Sequence, residues 1–215
     1  MPRAFSEKER NRIRDRLIAA GRRLINKGGV RFLVVDDVAR EARISKGSFY
    51  AFFPSREDFI LTVFESWERE HRGALIEMVT TGRGTPREKL ERFFIGAFEI
   101  IDREPGLARL GFQDIQAIIE RLPPERIVGH QAADRRVLEE AARRWEGEGL
   151  LAPGVAEALP GLAAALFSIV LHKEDFPPGS YRSAQKLIAE ALAVRMAAGT
   201  GRAGDRPRKR GGGIR

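Results

Sequence analysis

The chain has 215 residues, 43% of them apolar and 32% charged, with a formal net charge of +8 and no cysteine. That length is enough to bury a sizeable core in one or two domains, and the lack of Cys excludes a disulfide scaffold, thiolate zinc sites, iron–sulfur clusters and a thiol nucleophile. The longest apolar run, Leu162 to Leu171, spans ten positions, against the ~20 that a bilayer span needs. Met1-Pro2-Arg3-Ala4-Phe5 leads into charge rather than into an apolar signal core, so a cytoplasmic protein without a membrane partner is expected.

The charge is unevenly placed. Residues 1–56 carry 14 Lys and Arg against 6 Asp and Glu, residues 57–198 carry 18 against 23, and residues 199–215 carry 6 against 1. A basic head beside a mildly acidic body points to a polyanion partner for the head. Charge alone does not separate nucleic acid from anionic membrane, and a basic surface also serves solubility.

In chain order, Ile13, Leu17, Ala20 and Leu24 form one apolar helical stripe between Arg-rich faces, and Gly28-Gly29 supplies its stop. Arg31-Phe32-Leu33-Val34-Val35 is the single β-leaning run. Val35, Val38 and Ala39 then share a face of a short helix ending around Ala42-Arg43-Ile44. Ser45 offers an N-cap hydroxyl to a second short helix, Lys46 to Phe53. Two short helices joined by a tight turn inside a basic head have the form of a helix-turn-helix, whose second helix lies in the DNA major groove. Phe49 and Phe53, spaced i, i+4, read as core, whereas Lys46 and Tyr50 share the other face and are free to contact DNA. Gly47 allows close backbone approach. A compact helical hairpin without a ligand fits the same geometry.

Further helices are expected near 57–73, 86–102, 105–121, 124–148, 155–175 and 181–197. In the second of these, Leu90, Phe93, Phe94, Ala97, Phe98 and Ile101 follow the amphipathic template throughout. The class is all-α, and the Gly- and Arg-rich end, 199–215, lacks periodicity and is expected to be disordered. Gly199-Thr200-Gly201-Arg202-Ala203-Gly204 has the dinucleotide-binding glycine spacing but follows a helix, so chance explains it and no cofactor is expected. His71, His130 and His172 stand far apart without a partner at zincin spacing, and each reads as an isolated surface, packing or pocket residue rather than a metal ligand. No phosphate-binding loop or nucleophile elbow is present, and no enzyme is expected.

The segment from Asp37 to Phe59 resembles the DNA-binding signature of tetracycline-repressor-type (TetR) transcriptional regulators. The likeness lies in its acidic-aliphatic-Ala start (Asp37-Val38-Ala39) and in Ile44-Ser45 before the recognition helix. It continues in Gly47-Ser48-Phe49-Tyr50 within that helix and in Phe53-Pro54-Ser55-Arg56-Glu57 after it. The resemblance implies a helix-turn-helix domain at 1–56, an effector-binding and dimerisation domain at 57–198, and a basic tail at 199–215. It places Lys46 and Ser48 where the family reads bases or phosphates and Tyr50 where it packs on the DNA backbone. Ser45 and Gly47 complete that surface. Arg56 replaces the family's usual Lys as a phosphate clamp. Arg43 stands where Gly is common in the turn, losing easy access to positive φ but adding a cation for phosphate. Val34 occupies the usual Ser/Thr N-cap position before the first motif helix, with Asp36 placed to compensate, and Ala51 replaces a ring often found there.

The family's members are homodimers that pair their last two long helices. Here that implies an interface of Leu162, Leu166, Ile169 and Val170 with Leu187, Ala191, Leu192 and Val194, although both helices would equally complete a monomer core. An effector cavity is implied among Trp67, Phe94, Phe98, Phe112, Trp145 and Phe167, with Gln113, Gln116 and His172 as polar groups, and the apolar bias favours a hydrophobic effector. An aromatic stripe at helical spacing also reads as core. The expected function is a ligand-responsive regulator, most simply a repressor, that binds an inverted-repeat operator as a dimer and is released by the effector through the helix near 57–73. A non-specific DNA-coating protein and a helical carrier or enzyme are the competing readings.

Overall fold

A computed structural model describes residues 6–199 and has the all-α architecture expected. Among these residues there are ten α-helices and no strand, apart from one antiparallel bridge pairing Leu151 with Ala197. The helices are α1 (Glu7–Gly28), α2 (Val35–Glu41), α3 (Lys46–Tyr50), α4 (Arg56–Thr81), α5 (Pro86–Arg103), α6 (Pro105–Ala108), α7 (Phe112–Ile119), α8 (Pro124–Gly147), α9 (Leu159–Leu171) and α10 (Ser180–Met196). The expectations for the tail and for the glycine-spaced decoy fall, beyond Gly199, outside the described residues. Among the described residues no helix is long and apolar enough to cross a membrane.

Three expected boundaries are corrected. α4 runs on through Gly73 to Thr81 and stops at Gly82, whose N–H closes the last turn on the Met78 carbonyl. The single helix expected at 105–121 is two, broken at Arg109-Leu110-Gly111, where the Leu110 N–H turns back to the Leu107 carbonyl. α9 is shorter than 155–175, with 3-10 turns at Ala156–Ala158 and Lys173–Asp175. The β-leaning run at 31–35 is likewise no strand. It begins inside a 3-10 turn, Val30–Phe32, and leads directly into α2.

Two hydrophobic clusters organise the chain. The first joins Ile13, Leu17, Ala20 and Ile25 of α1 to Val35, Val38, Phe49 and Phe53, and to Phe59, Ile60, Val63, Phe64 and Trp67 of α4. Leu24 is half-buried at its edge. Phe49, Phe53 and Phe59 form a ring cluster with centroids 4.9–5.5 Å apart. At Gly21 the α1 backbone comes so close to side chains of α4 that a Cβ would lie 2.6 Å from Phe59 Cζ and 2.8 Å from Val63 Cγ2. The second cluster joins Leu90, Phe93, Phe94 and Phe98 of α5 to Trp145, Leu166, Val170, Ala189 and Ala193. α10 packs chiefly on α5, and α9 on α8 and α5.

The end of α1 is held by α6 and α7, which pack on the first cluster. The Gly106 N–H of α6 donates to Asn26 Oδ1 at 2.8 Å. Arg109 Nη1 donates to the Asn26 and Lys27 carbonyls at 3.1 and 2.9 Å, placing a cation on the negative end of the α1 dipole. Arg31 reaches Asp114 of α7 at 2.5 Å.

The contact at Gly21 gives a test of the packing. Gly21→Ala should lower stability by ~1–3 kcal/mol through overpacking, outweighing the ~1 kcal/mol that Ala gains in helix propensity. A denaturation midpoint at or above that of the parent would contradict so close an approach.

Candidate nucleic-acid interface

The helix pair is built by local backbone chemistry. α2 starts without a side-chain cap at Val34, as the sequence suggests, and carries Asp36 and Asp37 in its first turn, where the dipole favours carboxylates. It ends in a Schellman arrangement. The Ile44 N–H returns to the Ala39 carbonyl at 3.0 Å and the Arg43 N–H to the Arg40 carbonyl at 3.1 Å. That closure needs a left-handed residue, and Arg43 supplies it with φ 58°, the one non-glycine at positive φ among the described residues. Arg43 thus takes positive φ without the easy access that a glycine has: hydrogen bonding holds the turn against the steric cost of its Cβ.

Ser45 then caps α3, its Oγ accepting the Ser48 N–H at 3.1 Å and lying 2.8 Å from Ser48 Oγ. α3 is shorter than expected, ending at Tyr50. Its inner face is set by Phe49, fully buried, with Phe53 just beyond. Its outer face presents Lys46, Gly47 and Tyr50. Tyr50 is 47% exposed and stands edge-on to Phe49 at 5.3 Å. A Cβ at Gly47 would meet only Ser45 Oγ, at 3.9 Å, so nothing in the fold requires glycine there. Lys46 Nζ rests on Asp36 Oδ2 at 2.8 Å, and this hydrogen bond holds its pKa above the ordinary lysine value. Exchange of that carboxylate for a phosphate would keep the ammonium charge-paired.

Two features of this surface were not read from the sequence. Arg56 is turned inward: Nε donates to the Leu33 carbonyl at 2.8 Å, Nη2 donates to the Val30 carbonyl, and Nη1 pairs with Glu57 at 3.0 Å. Its donors brace the 30–33 turn against α4 instead of projecting as a phosphate clamp. Arg10 and Arg14 of α1 lie over Phe52 and Phe53 at 5.0 and 4.9 Å, adding cations beside the end of α3. Helical spacing from Ile13 gave no sign of that neighbourhood, because it arises from the α1–α3 packing.

The residues expected to form one effector pocket fall into separate places. Trp67 belongs to the first core, stacked on Phe64 at 5.9 Å. Trp145 is fully buried in the second core, its Nε1 donating to Thr80 Oγ1 at 3.3 Å. Neither lines a described cavity. Gln116 is exposed on α7 and donates to Glu120 at 3.0 Å. Phe112, Gln113 and His172 border a cleft of about 590 Å³ between the end of α1, α6–α7 and the end of α9. Phe94, Phe98 and Phe167 line a small apolar cavity of about 80 Å³ between α5 and α9, with Phe93, Ala163 and Leu166.

The expected dimer residues also divide. Leu166 and Val170 point into the second core, and Leu162, Ile169 and Leu192 are half-buried against it. Leu187, 68% exposed, Ala191 and Val194, 40% exposed, lie on the outer face of α10.

Residues 17–63 match the family model described as bacterial regulatory proteins, tetR family. Over 97 residues the chain is 32% identical to the transcriptional regulator AcuR of Cereibacter sphaeroides, covering 45% of this chain and 42% of that protein. It is 27% identical over 81 residues to the HTH-type transcriptional repressor NemR of Escherichia coli K12, 38% and 41% of the two chains. The match thus spans under half the length of these relatives. Among solved structures, a protein assigned to the TetR-family transcriptional regulators of Rhodococcus sp. superposes with a TM-score of 0.63 at 19% identity, over 87% of this chain and 100% of that one, a likeness of fold.

Relief of the left-handed strain is measurable. Arg43→Gly should raise stability by ~1 kcal/mol, the order of the αL cost of an L-residue, seen as a higher denaturation midpoint. A lower midpoint would mean that the Arg43 side chain stabilises the turn by more than its backbone costs.

Proposed function

This chain belongs to the TetR family of bacterial regulatory proteins, and from that premise we propose that it is a ligand-responsive repressor that binds an inverted-repeat operator as a homodimer. The observation that carries the reading is the outer face of α3. Lys46, Gly47 and Tyr50 are exposed while Phe49 and Phe53 anchor the same helix in the core. A helix so anchored presents a rigid edge to a major groove, with Arg43, Ser45 and Ser48 around its start. The head at 1–56 meets DNA and the body at 57–198 pairs and senses.

Pairing is assigned to α10. Leu187, Ala191 and Val194 recur at i, i+4, i+7 on its outward face, beside the exposed small residues Gly161, Ala164, Ala165 and Ser168 of α9. Two α3 helices about 34 Å apart would then read successive major grooves. The effector is assigned to the α5–α9 cavity of Phe94, Phe98 and Phe167, whose lining is apolar. That space must widen from about 80 Å³ toward the ~300 Å³ or more typical of ligand pockets. A hydrophobic molecule that binds the widened state better would draw the protein toward it.

Three variants separate these parts. Gly47→Ala should leave the fold as stable as the parent, or more stable by up to ~1 kcal/mol, while weakening operator binding at least tenfold through the added methyl at the DNA backbone. Tyr50→Ala should abolish operator binding in a gel-shift assay with the dimer intact by sedimentation. Leu187→Asp should give folded monomers that bind the operator at least a hundredfold more weakly. Parent-like binding by the first two would move the reading face away from α3, and a dimeric Leu187→Asp would move the interface away from α10.

A further inference from the structure

A second gathering of chemistry-bearing side chains lies between α4 and α8. α4 contributes Asp58, Glu65, Glu68 and Arg72, and α8 contributes Arg126, His130 and Asp134 at successive i, i+4 positions of one face. Arg126 donates to Asp58 at 2.7 Å and to both oxygens of Glu65 at 2.6 and 2.8 Å. Arg72 donates to Asp134 Oδ1 at 2.7 Å. These pairs leave His130, Glu68 and the second oxygen of Asp134 facing one another. His130 Nε2 is 3.8 Å from Glu68 Oε2 and 3.7 Å from Asp134 Oδ2, while Nδ1 is 3.4 Å from Glu65 Oε1. Glu68 Oε2 is buried without a hydrogen-bond partner. One ligand atom from each of Glu68, His130 and Asp134 lies within 4.8 Å of the others.

The geometry points to a divalent transition-metal site of the zinc type, with Glu68, His130 Nε2 and Asp134 as ligands and a remaining position for water. Two independent features support it beyond proximity. First, Glu65 sits behind the imidazole where it accepts the Nδ1 proton, which fixes the tautomer with the Nε2 lone pair aimed at the two other carboxylates. This is the carboxylate–histidine–metal relation that orients ligating histidines. Second, with the imidazole neutral and every carboxylate ionised, four carboxylates (Asp58, Glu65, Glu68, Asp134) face two guanidiniums (Arg72, Arg126), and a divalent ion supplies the two positive charges that bound protons otherwise provide. Ligand bonds of ~2.0–2.2 Å put tetrahedral neighbours ~3.4 Å apart, so the three atoms close by ~0.3–1.4 Å, within reach of small side-chain rotations. The imidazole selects a transition metal over Mg²⁺ or Ca²⁺, which take oxygen ligands.

Protons compete for the same place. Burial, and then the Asp134 charge, push the Glu68 carboxyl up to about 7, and the hydrogen bond to Glu65 raises the His130 imidazole. Burial alone would raise Glu65 too, but its bonds to His130 and Arg126 hold it near 2, ionised and available to orient the ring. The expectation that His130 lacks a partner at zincin spacing is corrected, since Asp134 stands at i+4 from it, and Glu68 comes from a helix 62 residues earlier.

The test is titration of the full-length chain, stripped with chelator, with Zn²⁺ by calorimetry at pH 7.5, together with its melting temperature. The site predicts one ion per chain, proton release on binding, a melting temperature raised by Zn²⁺, and affinity that falls as pH drops, because protons compete for the same ligand atoms. Glu68→Gln, His130→Gln and Asp134→Asn should each weaken binding more than tenfold. Glu65→Gln should weaken it ten- to a hundredfold through the ring orientation. His71→Gln and His172→Gln should bind as the parent does. Glu68→Gln is isosteric and removes a buried charge, so its metal-free melting temperature should match or exceed the parent's, separating lost ligation from lost folding. No uptake by the parent, or undiminished uptake by the three ligand variants, would overturn the proposal. No DNA enters the experiment, so its outcome is independent of the repressor reading.

Discussion

The orientation of α3 depends on one aromatic contact. Phe49 and Phe53 meet Phe59 of α4 with ring centroids 5.1 and 4.9 Å apart, and Gly21 of α1 lets Phe59 press against the α1 backbone. Rings of this size bury large areas in tilted and edge-on pairs that favour few arrangements. The outer face of α3 is therefore fixed relative to α4 rather than hung on a loop. Arg56 reinforces the same joint from below, holding the Val30 and Leu33 carbonyls at the start of α4.

That joint makes α4 the structural link between the two cores. Its first half, to Trp67, lies in the first cluster, and Val79 near its end lies in the second. A second link runs from α5 through α6 to the end of α1, where Gly106 donates to the Asn26 side-chain oxygen and Arg109 to the Asn26 and Lys27 carbonyls. A change of packing between α5 and α9 thus has two mechanical routes to α3 in the proposed regulator, one along α4 and one through α6 to α1.

What was legible in the sequence follows the range of the interactions concerned. The α2–α3 motif, the Ser45 cap and the buried placing of Phe49 and Phe53 rest on neighbours within a few residues, and the structure reproduces them. α5 was equally clear from its apolar spacing, and the structure adds a Thr85–Glu88 capping box and Pro86 at its start. α9 was not. Its sequence is apolar on nearly every side, so spacing could not say that Leu166 and Val170 face inward. The scattered pocket residues failed for a related reason. Trp67 and Trp145 carry the same apolar signal whether they wall a cavity or fill a core. Arg56 and Arg43 were hidden differently, since one finds its partners 23 and 26 residues back and the other adopts a backbone angle that its side chain disfavours.

The central claim is that α3 reads a DNA sequence in duplicate. The direct measurement is selection from a random double-stranded DNA pool at physiological salt, followed by sequencing of what the protein retains. The account predicts enrichment of an inverted repeat whose half-sites lie about one helical turn apart. Uniform retention that fades smoothly as salt rises, with no enriched sequence, would contradict it and mark the basic head as a non-specific DNA coat.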